Sequence, residues 1–212
     1  MSLVINLLSK VLILGLFYFS WQNLEQAGLK LNQNLVYFYL IMVVLSLIVD
    51  KFFFKGQASE SKKEDKVLST LISVSWFSAL IIPILEYSYF IRSNGVISTF
   101  GIIVVFIGII IRGLSIKYLG KYFSRDVETW DNHTLVRAGL YKYIRHPAYL
   151  GNILQIIGFP LILNSYYSLV LSVITVYLFL KRIEVEERFL EKELEKYKEY
   201  QAETKKLIPY LW

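Results

Sequence analysis

The sequence predicts an all-α protein, a polytopic helical bundle embedded in a membrane. Hydrophobic residues make up 55% of its 212 residues, and the mean hydropathy is +0.47. Charged residues make up 19%, fewer than in a soluble domain of this length. The apolar residues are collected into long segments, several of them near the roughly 20 residues that a membrane-spanning helix needs. These observations predict four N-terminal spans, a C-terminal helical hairpin and a cytoplasmic amphipathic helix.

Four apolar segments predict the N-terminal spans, at about residues 3–21, 35–54, 67–91 and 96–119. Pro83 is expected to kink the third helix, and residues 92–95 (Arg-Ser-Asn-Gly) to form a tight turn before the fourth. The first segment lacks a basic n-region and a small-residue cleavage site, so we expect a retained span rather than a signal peptide. We place the boundary between the N-terminal transmembrane helices and the functional core near residue 95, which gives domains 1–95 and 96–212.

The pattern changes after residue 119. Residues 120–147 are mixed and polar, too long for a tight turn and too charged to cross a membrane. Two shorter apolar segments, 148–163 and 166–180, are separated by the turn sequence Asn-Ser-Tyr-Tyr and predict the hairpin. The highly charged tail from Lys181 predicts a further helix up to the last six residues.

Basic residues are unevenly divided between the connecting segments. Residues 51–66, 117–147 and the tail are rich in Lys and Arg, whereas residues 22–34 and 164–167 hold one Lys between them. The positive-inside rule then places the basic segments and both termini in the cytoplasm. We interpret the net charge of +6 as contact with anionic lipid headgroups and expect no nucleic-acid partner. The abundance of Lys, Ile, Asn and Tyr favours a microbial plasma membrane over the endoplasmic reticulum.

The polar segment at residues 133–151 contains both histidines of the chain. Pro147 suits the first turn of a helix, and the unpaired N–H groups of a helix start attract an anion such as a carboxylate. Arg145 and His146 add donors at the same point. Gly139 permits a turn upstream. The segment therefore predicts either an anion-binding site or a loop that binds lipid headgroups.

The tyrosines of the same segment suggest a second kind of contact. Tyr141, Tyr143 and Tyr149 offer flat faces to an adenine-like ring or to a sulfonium cation. At a membrane surface the same residues could instead form part of an interfacial aromatic belt.

Two charges in the tail helix fall on its apolar side. At about 100° per residue, Arg182 and Glu186 project with the stripe of Ile183, Leu190, Leu194 and Tyr197. The other acidic residues project away from it: Glu184, Glu187, Glu191 and Glu195. Charges that face the interior near a membrane are candidates for function, although an i,i+4 ion pair that ends a helix is the alternative.

Three further charges lie within or beside the predicted spans. Arg112 is expected to snorkel to the interface, or else to contact a polar ligand or the 120–147 segment. Glu86 is expected at the interface and Asp50 at the end of a span.

Several site chemistries are disfavoured by the sequence. The chain has no cysteine, and its two histidines have no carboxylate at metal-ligand spacing, so no metal is expected. There is no GxSxG nucleophile context and no GxGxxG motif for a Rossmann cofactor site.

An ordered set of motifs in the C-terminal half resembles one known family. It comprises "GIIIRGLSIKYLGKYFS", "HTLVRAGLYKYIRHPAYLGNILQIIGFPLIL" and "RIEVEERFLEKELEKYKEYQAETKKLIP". The succession of His-x-Leu-Val, Gly-x-Tyr, Arg-His-Pro-x-Tyr, an apolar hairpin, and an Arg and a Glu one turn apart resembles the isoprenylcysteine carboxyl methyltransferase family. The resemblance covers roughly residues 100–210, and residues 120–132 are too divergent for residue-by-residue assignment.

This resemblance implies an integral membrane enzyme that uses S-adenosylmethionine without a Rossmann fold. The cofactor would lie between the cytoplasmic segment, the hairpin and the C-terminal helix. The resemblance implies that Arg182 faces the substrate carboxylate and that Glu186 holds a polar group of the cofactor. The other cofactor-binding residues that it implies are His133, Thr134, Leu135, Val136, Tyr141, His146, Pro147, Ala148 and Tyr149.

The implied reaction is methyl transfer to a lipophilic acceptor that enters from the bilayer. A carboxylate acceptor is ionised near neutral pH and needs no general base, so positioning and desolvation would be the main tasks of the protein. One alternative is a phospholipid N-methyltransferase, whose amine substrate would need a base. The others are a sterol-reductase-like enzyme that uses NADPH and a membrane protein without catalytic activity, such as a transporter or scaffold.

Overall fold

The structure is a computed structural model that describes residues 33–53, 63–123 and 135–209. Six α-helices occur in these ranges: α1 (Gln33–Phe53), α2 (Lys63–Tyr89), α3 (Gly95–Leu119), α4 (Pro147–Ile162), α5 (Ser168–Glu193) and α6 (Tyr197–Glu203). Two short 3₁₀ helices, Gly120–Tyr122 and Gly139–Lys142, lie between α3 and α4. The predicted first span, His133 and Thr134 lie outside the described residues.

Three helices contain segments long and apolar enough to cross a membrane. These segments are Asn34–Lys51, Val67–Tyr89 and Gly95–Leu119, and α4 is a shorter apolar helix. Within the described ranges the secondary structure is helical apart from one isolated bridge between Ile144 and Lys205. The predicted class, an all-helical polytopic membrane bundle, is confirmed by this architecture.

The bundle has apolar side chains on its surface and polar side chains inside, as a lipid environment requires. Large apolar side chains of α3, including Phe100, Ile103 and Phe106, are exposed on its surface, while polar side chains are buried between the helices. The Tyr39 hydroxyl donates to the Leu80 carbonyl oxygen at 2.7 Å, and Ser46 donates to the side chain of Gln155. Such bonds join α1 to α2 and α1 to α4, because buried polar groups in a membrane interior must find partners within the protein.

Helices α3 and α4 pack with their backbones in close contact through glycines. A β-carbon on Gly151 would lie 2.7 Å from the Gly108 carbonyl oxygen and 2.8 Å from the Arg112 backbone nitrogen. A β-carbon on Gly101 would lie 2.6 Å from the Ile162 nitrogen. Since these neighbours are backbone atoms that cannot rotate away, only glycine permits this approach, as at other small-residue helix contacts in membranes.

We therefore expect Gly151→Val to separate α3 from α4. The added side chain should destabilise the protein by about 1–3 kcal/mol and lower its Tm in detergent, because overpacking at a rigid contact forces the backbone to shift. Thermal unfolding followed by circular dichroism measures the change. Gly95→Ala is the matched control, since nothing lies within 4 Å of a β-carbon there, and an equal loss in both variants would contradict the close-packing explanation.

Glu86 joins α2 to the start of α5 at the end of the bundle away from Lys51 and Lys117. Its carboxylate accepts hydrogen bonds from the backbone N–H groups of Tyr167 and Ser168 at 3.1 and 2.7 Å, and it pairs with Arg92 at 2.8 Å. Glu86 is buried among these partners, and its expected place at the membrane interface stays a prediction. The first N–H groups of α5 lack helical partners and so attract a carboxylate.

The hairpin differs from its prediction in one respect. Its first helix begins at Pro147 as expected, but the second continues through Lys181 to Glu193 without a break. No proline or glycine interrupts residues 168–193, so the apolar hairpin helix and the charged amphipathic helix are one element. The helix then ends at Leu194, whose backbone is extended, which places Tyr197 in α6 rather than on the predicted stripe.

Candidate functional site

The charged residues singled out in the sequence converge at one end of the bundle. This end comprises the last turns of α1 and α3, the starts of α2 and α4, and the charged second half of α5. Segments distant in sequence meet there because α2 and α4 run away from this end while α1, α3 and α5 run towards it.

Tyr149 lies at the centre of the site, in the first turn of α4. Its hydroxyl donates to the Glu186 carboxylate at 2.7 Å, and its ring packs against Phe179 with centroids 5.6 Å apart. The His146 ring lies 5.7 Å from the Tyr149 ring, and its Nδ1 is 4.0 Å from the Glu186 carboxylate. The structure thus brings together three of the predicted residues.

Arg182 completes this group from one turn earlier on α5. It is only 2% exposed, which confirms that it belongs to the packing face of the helix. Its guanidinium donates to the Ser69 hydroxyl at 2.8 Å and interacts electrostatically with the Tyr149 side chain. Tyr149 is therefore a common partner of Arg182 and Glu186, and α2 supports the site through Ser69, a contact that the sequence pattern did not indicate.

Glu187 is a site residue that the sequence pattern missed. Its carboxylate lies 2.7 Å from Arg145 Nε, 3.2 Å from His146 Nε2 and 3.3 Å from Lys206 Nζ. The prediction that Glu187 projects away from the packing face is wrong. The start of α4 and residues 204–207 cover that side of α5 as well, so the buried face is wider than the apolar stripe alone.

These partners change the acid–base chemistry of Glu187. Burial acts to raise the pKa of its carboxyl group, but hydrogen bonds from His146 and Arg145 outweigh burial and lower the pKa to about 2. The carboxylate consequently stays ionised across the physiological range and holds the adjacent Arg145 and His146 side chains at the start of α4.

We expect Glu187→Gln to remove a pH-dependent part of the stability. Because the folded-state pKa lies below its ordinary value of 4.5, ionised Glu187 stabilises the protein above pH 4.5, and this stabilisation is lost as the pH falls from 4.5 through about 2. The variant should lose on the order of 3 kcal/mol at neutral pH, since the buried Arg145 guanidinium loses its partner, and its stability should fall less steeply on acidification.

Thermal unfolding in detergent from about pH 7 to about pH 3 measures this difference. Glu199→Gln is the matched control, because Glu199 is an exposed carboxylate on α6. Parallel pH profiles for wild type and Glu187→Gln would contradict the assigned role.

Residues 197–207, here called the C-terminal clamp, hold the segment that precedes α4. The backbone N–H groups of Arg145 and His146 donate to the carbonyl oxygens of Lys205 and Lys206 at 2.8 and 3.0 Å. The Tyr200 hydroxyl donates to the Tyr141 carbonyl oxygen at 2.7 Å. The clamp therefore positions the backbone on which His146 lies.

Upstream of α4, the described residues follow the expected turn. Gly139 has φ +58°, and a β-carbon there would overlap the ring of Tyr118. Tyr141 is buried, and its pKa is raised by burial and by the nearby Glu186 carboxylate, so its phenol remains protonated. Leu135 and Val136 are half-buried in the irregular backbone that leads to this turn.

Arg112 forms a buried support beneath the start of α4. Its guanidinium pairs with Asp50 at 2.8 Å, lies 5.3 Å from the centre of the Phe123 ring and donates to the Ala148 carbonyl oxygen at 3.4 Å. The expected snorkelling of Arg112 is wrong, and its alternative, a contact with the polar segment after α3, is correct. Pro147 and Ala148 are buried against this support.

The chemistry of these side chains suits a charged organic ligand. It offers a carboxylate, a guanidinium, an imidazole and two phenols, together with the N–H groups at the start of α4. Within the described ranges no group of three or more His, Asp or Glu side chains is arranged to hold a metal ion.

Three helices of membrane-spanning length, with a cluster of buried polar side chains at one end, define the class: a multi-pass membrane protein. Comparison with known proteins gives the family. The sequence profile of the isoprenylcysteine carboxyl methyltransferase (ICMT) family matches residues 101–192. A probable protein-S-isoprenylcysteine O-methyltransferase of Oryza sativa subsp. indica is 30% identical to this chain, and the match covers 63% of this chain and 69% of the length of the relative.

Two further similarities agree with this family. Protein-S-isoprenylcysteine O-methyltransferase B of Arabidopsis thaliana is 29% identical, over 68% of this chain and 78% of its own length. A solved structure of the eukaryotic intramembrane Ras methyltransferase ICMT shares the fold, with a TM-score of 0.51 over 96% of each chain at 18% identity. The chain belongs to the isoprenylcysteine carboxyl methyltransferase family, and it is a membrane methyltransferase.

Proposed function

We propose that the protein transfers a methyl group from S-adenosylmethionine to the carboxylate of a lipophilic, prenylcysteine-like acceptor that enters from the bilayer. The names of the related enzymes support this acceptor class. The observation that carries the proposal is the group formed by Arg182, Tyr149 and Glu186, in which the Tyr149 hydroxyl donates to Glu186 and interacts electrostatically with Arg182, so that a buried cation and a carboxylate lie one helical turn apart.

The residues around Tyr149 fit the charged parts of S-adenosylmethionine. The start of α4 at Pro147, with His146 and Ala148, suits a carboxylate, because the N–H groups of the first helical turn have no partners within the helix. Glu186 suits an ammonium or hydroxyl group. The phenol rings of Tyr141 and Tyr149 suit a sulfonium or an adenine. Leu135 and Val136, with His133 and Thr134 beyond the described residues, would complete the cover as the family resemblance implies.

The bound cofactor supplies an activated methyl group on a positively charged sulfur. For the acceptor, Arg182 is suited to orient one carboxylate oxygen and to leave the other directed at that methyl group. Ser69 and Tyr149 hold the guanidinium in place, which reduces the entropy lost when the acceptor binds. Phe179 and the ring of Tyr149 exclude water beside it, so the carboxylate would react in a desolvated state.

The distribution of charge supports a cytoplasmic location for the site. Lys51, Lys117, Lys142 and Lys181 all lie at the site end of the helices or in the segments joined there, whereas Arg92 at the opposite end pairs with Glu86. Positive charge at one end favours the cytoplasmic side. We propose both termini on that side of a microbial plasma membrane, the cofactor arriving from the cytoplasm and the acceptor from the lipid.

One observation favours a second candidate, a phospholipid N-methyltransferase. The Glu187 carboxylate lies beside His146 Nε2, while Nδ1 faces the Glu186 side of the site. A histidine oriented in this way by a carboxylate is a suitable base for an amine acceptor, which must lose a proton during methyl transfer.

Two measurements on the purified full-length protein in detergent test these functions. Calorimetry with S-adenosylmethionine should show binding, and calorimetry with NADPH should show none; the reverse result would support a reductase. Methyl transfer from labelled cofactor should then reach prenylcysteine analogues rather than phosphatidylethanolamine. Transfer to the lipid alone would favour the N-methyltransferase, and transfer to neither acceptor would contradict both.

A further inference from the structure

Arg92 lies between α2 and α3, at the end of the bundle away from the candidate site. The membrane-length segment of α2 ends at Tyr89 and that of α3 begins at Gly95, so Arg92 falls at the membrane boundary on that side. Its side chain is 28% exposed, whereas the Glu86 side chain with which it pairs is 5% exposed. Residues 67–111 and 149–180 contain no charged residue other than these two. The Arg92 charge is therefore isolated at this end of the described helices.

The guanidinium of Arg92 is bound along one edge and open along another. Its Nη1 group donates to the Glu86 carboxylate at 2.8 Å and to the Asn164 carbonyl oxygen at 3.5 Å. Among the residues that the structure describes, no hydrogen bond engages its Nε or Nη2 group. Two neighbouring nitrogens of a guanidinium form the fork that binds two oxygens of a phosphate or carboxylate. Arg92 thus keeps a donor fork available while its orientation is fixed.

Three aromatic rings surround this guanidinium. Its central carbon lies 4.7 Å from the ring centre of Tyr167, 5.4 Å from that of Tyr166 and 5.5 Å from that of Phe90. Such cation–π contacts hold a guanidinium without using its N–H donors. The Tyr166 ring is fixed in turn, because its hydroxyl donates to the buried Asn164 side chain at 2.9 Å. The rings therefore preorganise Arg92, and Phe90 and Tyr167 are themselves exposed.

The Glu86 carboxylate does not neutralise Arg92 completely, because it also binds the start of α5. It accepts hydrogen bonds from the backbone N–H groups of Tyr167 and Ser168 and from the Ser168 hydroxyl. The start of a helix carries roughly half a positive charge. Glu86 is shared between this charge and Arg92, so the group has a surplus of positive charge that favours a second anion.

We propose that Arg92 binds the phosphodiester of a phospholipid in the leaflet opposite the candidate site. The phosphate oxygens accept hydrogen bonds from Nε and Nη2 of Arg92, and the exposed rings of Phe90 and Tyr167 contact the lipid beside its headgroup. Free phosphate offers the same oxygens, but the boundary position and the exposed aromatic rings favour a ligand with acyl chains. This inference does not depend on the proposed methyl transfer.

A lipid held at Arg92 has a consequence for the hairpin. Helix α4 has 16 residues and is about 24 Å long, shorter than the roughly 30 Å of a bilayer hydrocarbon core. The contact with the Asn164 carbonyl oxygen places Arg92 at the turn that follows α4. A phosphate bound there keeps this turn at the membrane boundary, and it thereby fixes the depth of the short helix whose other end carries Tyr149.

Thermal unfolding of the purified full-length protein in detergent tests the proposal with three probes. These are phosphatidylglycerol, diacylglycerol, which lacks the phosphate, and inorganic phosphate, which lacks the acyl chains. A ligand of the folded state raises the Tm with a concentration dependence that gives its affinity. We expect phosphatidylglycerol to bind at least about tenfold more tightly than either other probe. Equal binding of diacylglycerol would overturn the role of the phosphate, and equal binding of inorganic phosphate would overturn the lipid as its source.

Three variants assign the lipid effect to Arg92. Arg92→Gln should weaken phosphatidylglycerol binding by about tenfold or more, because it removes the charged donors. Arg92→Lys keeps a cation beside Glu86 but has no donor fork, so it should fold as wild type does and bind the lipid several-fold more weakly. Lys117→Gln removes an exposed cation at the opposite end of the bundle and should bind as wild type does.

Each variant is compared with its own Tm without lipid, so a change in intrinsic stability does not count as a change in binding. If Arg92→Gln does not fold, the comparison of Arg92→Lys with Lys117→Gln decides the question. Wild-type affinity in the Arg92 variants, or an equal loss in Lys117→Gln, would overturn the proposal and leave Arg92 only as the partner of Glu86.

Discussion

Arg182→Ala should reduce kcat/KM for methyl transfer by roughly 10³-fold or more while S-adenosylmethionine affinity stays within a few-fold. The guanidinium is buried and held by Ser69 beside Tyr149, so it is a fixed cation rather than a mobile surface charge, as the proposed binding of the acceptor carboxylate requires. Fixed charges and oriented donors in a water-excluded site account for losses of about this size when they are removed. Initial rates with labelled cofactor and calorimetry on the same preparation measure the two quantities.

The chain provides a neighbouring control for this substitution. Lys181 is the adjacent residue, but it is exposed and pairs with Glu184 on the other side of α5, so Lys181→Ala should be close to wild type in both assays. Arg182→Lys should recover only part of the activity, because an ammonium lacks the forked geometry that binds a carboxylate with two hydrogen bonds. A parallel fall in cofactor affinity and activity in Arg182→Ala would place Arg182 in the cofactor site instead.

Glu186→Ala should weaken S-adenosylmethionine binding by about 10- to 100-fold. Glu186 is partly open to the site and accepts a hydrogen bond from Tyr149, so it can also accept one from an ammonium or hydroxyl group of the cofactor. Hydrogen bonds to charged groups contribute about 1.5–3 kcal/mol, which corresponds to this range of affinity. Calorimetric titration of the purified variant gives the dissociation constant directly.

Two comparisons distinguish a role of Glu186 in cofactor binding from a role in holding Tyr149. Glu184→Ala removes an exposed carboxylate two positions earlier and should leave affinity unchanged. Tyr149→Phe removes the shared hydroxyl but keeps Glu186, so it should cost less affinity than Glu186→Ala. Unchanged cofactor binding in Glu186→Ala would mean that Glu186 serves only to hold Tyr149.

The membrane class and the start of the hairpin at Pro147 could be predicted because they depend on local properties. Hydropathy over 20-residue segments identified the helices that the structure describes, since the free energy of a span is nearly a sum over its own residues. Pro147 marked the start of α4 because a proline is tolerated in the first turn of a helix. The proposed division at residue 95 and the predicted span before residue 33 remain predictions.

Pairings between distant residues could not be predicted in the same way. Glu187 was assigned to the solvent side because helical periodicity describes only one helix, and it is the packing of α4 and the C-terminal clamp that covers it. Arg112 with Asp50, Glu86 with the start of α5, and Ser69 with Arg182 each join helices more than 60 residues apart in sequence. The partner of a buried charge depends on which helix lies beside it, and the residue pattern within one segment does not indicate which helix that is.

The sequence by itself therefore determined three features. These are helices of membrane length, a polar segment with a histidine and tyrosines before a proline, and an Arg and a Glu one turn apart. What only the packing of the helices established was that Arg182 and Glu186 meet through Tyr149, that Glu187 fixes His146, and that α2 takes part in the site. Local hydrophobicity and helical geometry act over a few turns of chain, whereas a binding site forms where side chains from separate helices lose water together.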